Sequence, residues 1–175
     1  MKMSQYAKDR EWNIVIGRPD EIGKKCQLIH TATNAREPVL KSLEVENFCH
    51  VTCVGADTPG KKEIATKIVK RADYVVYDHA DQVKVRGELQ HSFQDLKNHS
   101  ELGAFLQNPV STDDFNLTIF DSTGCAAQVR ATLCIPNNAT NFTFVKEMFE
   151  MSILYFALDA FLFILKTYNF ISRML

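Results

Sequence analysis

Apolar, β-branched runs of strand length recur at Asn13 to Ile16, Gln27 to Ala32, His50 to Val54, Asp73 to Tyr77 and Leu117 to Phe120, each bounded by Gly, Pro, Asp or Asn. Between them the apolar spacing becomes helical. It predicts helices over Lys62 to Ala72, with Ile64, Ile68 and Val69 on one face, and over Asp81 to Phe93, with Val85, Leu89 and Phe93 on one face. Glu101 to Leu106 reads as a third, short amphipathic helix. Strands alternating with helices predict an α/β fold. The stretch Tyr74-Val75-Val76-Tyr77 is apolar without in-and-out alternation, as expected of a strand covered on both faces in a mostly parallel sheet.

In an open parallel sheet a ligand lies beyond the carboxyl ends of the strands, so the residues that follow each run are where chemistry is sought. Three such segments are small, polar and turn-forming: Thr33 to Pro38, Gly55 to Lys61, and Asp121 to Gly124. The sharpest is Gly55-Ala56-Asp57-Thr58-Pro59-Gly60. Gly and Ala leave room for another molecule beside the backbone, Asp57 presents a carboxylate to that space, and Pro59-Gly60 turns the chain toward the next helix. The same D-x-P-G is also an ordinary surface turn. Ser122-Thr123-Gly124 opens a last helix on this reading, where Ser and Thr are N-caps or free N–H groups hold a ligand's polar atoms.

Composition narrows the field. The 175 residues are 46% apolar and 23% charged, average for a folded domain, and 20 Lys and Arg against 21 Asp and Glu leave no basic excess. No nucleic acid is expected as a partner. Five widely spread cysteines and an N-terminus without an apolar signal segment point to a reducing, cytoplasmic setting. His30, His50, His79, His91 and His99 lack the spacing of a zinc hydrolase and the cysteines form no second pair, so no metal is expected.

Four ordered segments together carry a resemblance: Thr31 to Leu40, Val54 to Glu63, Gly87-Glu88-Leu89-Gln90, and Phe120 to Ala126. At these separations they resemble the ornithine cyclodeaminase and mu-crystallin family, from about Asn13 to Gln128. The resemblance implies NAD or NADP on a Rossmann-type, doubly wound sheet, and oxidation or reduction of a carbon–nitrogen bond beside a carboxylate. Asp57 matches the family's catalytic Asp, which assists attack of the substrate's amine on an imine carbon. Thr31, Ala32 and Thr33 match the segment that passes the cofactor's adenosine and ribose. Val54, Gly55 and Ala56 match the backbone beside the nicotinamide, and Ser122, Thr123 and Gly124 the turn that closes over it. The implied partner is a small molecule, an amino acid or a cyclic imine.

Departures from the family shape the expected organisation. The chain contains no G-x-G-x-x-G turn, so residues 1–128 read as a partial NAD(P)-binding domain whose first strands, substrate domain and dimer surface lie outside it. Residues 129–175 read as a separate tail, helical, apolar and aromatic-rich, because nine of the eighteen aromatic residues fall between Phe142 and Phe170. Within the tail, Glu150 and Asp159 interrupt the apolar stretch Met148 to Leu165, which argues against a membrane span. The leading expectation is thus an ornithine cyclodeaminase-like, NAD(P)-dependent segment, inactive as written. The alternative is a non-catalytic, mu-crystallin-like protein that binds a small ligand or the cofactor.

Overall fold

Among the described residues, five short strands form one all-parallel sheet in the order β1-β2-β5-β3-β4. They are β1 (Leu28–Thr31), β2 (Cys49–Cys53), β3 (Tyr74–Tyr77), β4 (His99–Glu101) and β5 (Leu117–Asp121). The computed structural model describes residues 8, 9, 11, 13–44, 48–111 and 114–124. The tail reading for 129–175 lies outside the described residues.

Register explains how the core is built. Partner residues in a parallel sheet share a face, so Ile29, Val51, Ile119 and Val75 form one transverse row and Thr31, Cys53, Asp121 and Tyr77 the next. These rows face the main core, with Leu40, Leu43, Ile64, Ile68, Val69, Val83 and Leu89 packed on them. Every residue of β2 and β5 is buried, so the two central strands carry no alternation for a sequence pattern to show. The opposite face carries His50, hydrogen-bonded by its two ring nitrogens to Thr118 Oγ1 at 2.7 Å and Thr52 Oγ1 at 3.1 Å. Burial holds this imidazole down at about 4, with His30 adding to the effect, so it is neutral at ordinary pH.

Three helices are present among the described residues. Helix α1 (Pro19–Lys25) begins with proline, has Asp20 and Glu21 in its first turn and Lys24 and Lys25 in its last, all matched to the helix dipole. It buries only Gly23, whose missing Cβ lets the Ser42 carbonyl approach. Helix α2 (Thr66–Arg71) buries Ile68 and Val69, and Arg71 donates to the Leu43 carbonyl at 3.0 Å. Helix α3 (Leu102–Gln107) leads from β4 into β5 and buries Phe105 beside Tyr74.

Several expectations are corrected. Asn13 to Ile16 is not a strand: Val15 is 92% exposed, because β-branched residues without a partner strand have no ladder to join. Helix α1 was hidden from periodicity by its lack of an apolar stripe. Lys62 to Ala72 is helical only from Thr66, since Ile64 instead bridges Leu40 in parallel fashion. Asp81 to Phe93 is not one helix. It is a run of turns followed by two 3-10 turns, Glu88–His91 and Phe93–Asp95, because Gly87 sits at φ +80°, outside helical space. Finally β4 was missed, its polar His99 and Ser100 being fastened to β3 by the Tyr77 and Tyr74 hydroxyls. Among the described residues no helix is long and apolar enough to cross a membrane, and no group of metal-binding side chains forms.

Candidate functional site

The carboxyl ends of β1 and β2 lie side by side, and one buried carboxylate ties them together. Glu63 is fully covered and receives the Thr31 hydroxyl at 2.7 Å, the Gly55 N–H at 2.8 Å and the Thr33 N–H. Gly55 must be glycine here, because a Cβ would stand 2.3 Å from Glu63 Oε1 and from the Thr33 carbonyl. Three of the expected site residues, Thr31, Thr33 and Gly55, are thus brought around a single acid whose part the sequence did not disclose.

Asp57 projects from the turn just beyond, on the exposed side. Its carboxylate is 58% exposed and accepts from Lys61 Nζ at 2.6 Å, while Lys61 itself is only 15% exposed. The turn is held from the far side: Gln90 accepts the Gly60 N–H at 2.8 Å, and the Lys61 carbonyl accepts from Gln90 Nε2 at 3.2 Å and from a ring nitrogen of His91 at 3.0 Å. Gly60, at φ +78°, allows the reversal. Lys61 is therefore the anchored member of the pair and Asp57 the one that faces outward. Of the neighbours expected with it, Val54 and Gly55 are half-buried and Ala56 is buried, its carbonyl accepting the Gly87 N–H at 2.6 Å; Ala32 is exposed.

Ser122-Thr123-Gly124 does not present free donors. Asp78, just past β3, accepts the Thr123 N–H at 2.7 Å, the Gly124 N–H at 2.9 Å, the Ser122 hydroxyl at 3.2 Å and the Thr123 hydroxyl at 2.8 Å. Two more acids complete a chain. Glu88 accepts the N–H groups of Glu63 at 2.6 Å and Ile64 at 3.2 Å, and Asp121 Oδ2 accepts that of Leu89 at 2.9 Å. Burial pushes Glu88 up to about 7 against the pull of those N–H donors, and pushes Asp121 up to about 8. The same burial, with Glu88 and Asp121 beside it, holds the Cys53 thiol well above its ordinary range and unreactive.

The edge of the sheet is thus a row of peptide groups fixed by four buried carboxylates, with one exposed carboxylate beyond them. The segments singled out in the sequence do follow β1, β2 and β5, and the parts played by Glu63, Asp78, Glu88 and Asp121 were missed. A usable signal lay in Gly55 and Gly87, glycines whose absent Cβ atoms make room for Glu63 and for Asp121. A dinucleotide would need a glycine-rich turn and a long helix N-terminus for its pyrophosphate. The described helices run to seven residues at most, and the donors at Thr33, Gly55, Thr123 and Gly124 are already engaged, so the residues described do not by themselves fit that group.

Residues 1–140 match the ornithine cyclodeaminase/mu-crystallin family. An alanine dehydrogenase of Archaeoglobus fulgidus is 35% identical over 137 residues, 73% of this chain and 41% of that protein. An ornithine cyclodeaminase of Brucella suis is 31% identical over 100 residues, 56% of this chain and 27% of that protein. The solved iminosuccinate reductase of Paracoccus denitrificans, in complex with NAD+, superposes with a TM-score of 0.62 at 28% identity, covering 70% of this chain and 39% of that one. The chain spans about two fifths or less of the length of the relatives it matches.

Proposed function

The chain belongs to the ornithine cyclodeaminase/mu-crystallin family, and from that premise we propose that it carries the acid–base wall of NAD(P)-dependent chemistry at a carbon–nitrogen bond beside a carboxylate. The family includes NAD-dependent alanine dehydrogenase, imine reductase and ornithine cyclodeaminase relatives. The observation that supports the proposal is the contrast among the acids at the sheet edge. Glu63, Glu88 and Asp121 are buried and spent on backbone N–H groups, whereas Asp57 alone of these projects outward from a braced turn.

An iminium carbon is electrophilic, and an amine attacking it must give up a proton. On this reading Asp57 accepts that proton and offsets the cationic charge of the intermediate. Lys61 keeps the carboxylate on the outer side of the turn until an ammonium or iminium group replaces it. No step is derived for the cofactor, because the described residues do not fit it alone. The substrate class is an amino acid or its imine, with L-ornithine and cyclic ketimines as the first candidates.

The test is a set of assays following NADH or NADPH absorbance with a cyclic ketimine or with 2-oxo acid plus ammonium, and proline formation from ornithine. Asp57→Asn should reduce turnover by about 10²- to 10⁴-fold, since the amide keeps the size but accepts no proton. Undiminished turnover in that variant refutes the assignment. The second reading, a non-catalytic small-ligand-binding protein of the mu-crystallin kind, draws on the closed Asp57–Lys61 pair. It predicts calorimetric binding of a small amino acid or cyclic imine without turnover in any of these assays.

A further inference from the structure

A buried carboxylate normally has a cation or a full set of donors beside it. Asp121 has neither. It is fully covered, the backbone N–H groups of Leu89 and Glu88 are the donors that act on it, it faces the Glu88 carboxyl from the 3-10 turn, Asp78 from the end of β3 and the Cys53 thiol from β2, and its Oδ1 has no hydrogen-bond partner among the described residues. Glu88 in turn faces Glu63 and Cys53, and the Lys62 cation acts on it with the opposite sign. Gly87 presses its backbone so close that a Cβ would lie 2.5 Å from Asp121 Oδ2 and 2.9 Å from Oδ1.

These acids are also linked in series through the backbone. Asp121 holds Leu89, the preceding residue Glu88 holds Glu63 and Ile64, and Glu63 holds Thr33 and Gly55 at the ends of β1 and β2. A disturbance at Asp121 therefore reaches the turn that carries Asp57 without passing through solvent. We propose that Asp121 and Glu88 form a proton-operated latch: with a proton held on Asp121 the stack is closed, and with both acids ionised their repulsion loosens the 87–91 turn and, through Glu63, the strand ends beside Asp57. The inference is independent of the catalytic reading of Asp57.

The sign follows from linkage. Asp121 is held up at about 8, above its ordinary range, so its closed form is favoured on the acid side and is lost as pH rises through about 8. Glu88, held up at about 7, acts in the same direction. Between pH 6 and 8 the local opening constant should rise about tenfold per unit from Asp121, roughly a hundredfold in all.

The experiment is amide hydrogen exchange by NMR on the full chain between pH 6 and 9, corrected for the chemical rate, with a carbon-13 titration of the Asp121 carboxyl. Protection at Leu89, Glu63 and Gly55 should fall together by about a hundredfold while Val51 changes less. Asp121→Asn should remove most of that pH dependence, and Glu88→Gln, which leaves Asp121 in place, should reduce it. An Asp121 carboxyl that titrates below pH 5, or protection that does not change with pH in the unmodified chain, overturns the proposal whether or not either variant folds.

Discussion

Replacing Glu63 by alanine removes the acceptor shared by Thr31 Oγ1, the Thr33 N–H and the Gly55 N–H. A buried donor left without a partner costs about 1–3 kcal/mol. Thr31 is buried, Gly55 is half-buried and Thr33 is open enough for water to replace its partner, so we count two donors in full and one lightly. The expected loss is roughly 3–5 kcal/mol, a large part of the ~5–15 kcal/mol that holds a typical domain together. Glu63→Gln keeps one carbonyl oxygen but turns an NH2 toward the remaining donors, and should lose roughly 1–3 kcal/mol. Urea unfolding followed by circular dichroism reads both, with the midpoint falling and the slope unchanged. A Glu63→Ala protein within about 1 kcal/mol of the unmodified chain, or one less affected than Glu63→Gln, would show that the three hydrogen bonds do not hold the strand ends.

Gly87→Ala should be the most damaging single methyl, because φ +80° with ψ 177° is nearly closed to other residues and the new Cβ would meet Asp121 and Thr123; thermal unfolding should show a drop of several degrees or no folded protein, and an unchanged midpoint would contradict the packing described. His50 is held down at about 4, below its ordinary value, so its contribution is present above about pH 6.5 and is lost as pH falls through about 4, a span worth on the order of 3 kcal/mol. His50→Gln should therefore flatten the acid limb of the stability profile, and an equally steep limb in that variant would place the loss elsewhere.

The parts legible in the sequence were those with a repeated pattern or a shared motif. Strands β1, β2, β3 and β5 were predicted within a residue or two, since each is an apolar run closed by a turn former. The turn carrying Asp57 was found for the same reason. Strand β4 was not, because an edge strand of His, Ser and Glu is held by two tyrosine hydroxyls from its neighbour, a relation between residues more than twenty positions apart. The carboxylates of the sheet edge were unreadable on similar grounds. Burial patterns assume that Glu and Asp face water, and Glu63, Glu88 and Asp121 instead replace backbone partners for segments that come together only in the folded chain. Resemblance marked their segments, while their part in the packing needed the geometry.

The strand order bears on how the molecule assembles. β5 stands between β2 and β3, so the pairs β1-β2 and β3-β4 share no direct ladder until this strand, the latest in chain order among the described ones, enters the slot between them. Chain emerging from a ribosome would expose two unjoined half-sheets, with Val51, Cys53 and Val75 lining an open cleft, until Leu117 to Asp121 became available. The contacts formed by that insertion span more than forty residues on each side, a slow, high-contact-order step during which the half-sheet edges can pair with other chains. Asp121 lies at the end of the inserted strand. Its contact with Leu89 therefore forms only once the sheet is whole, which makes that hydrogen bond a local reporter of completed assembly.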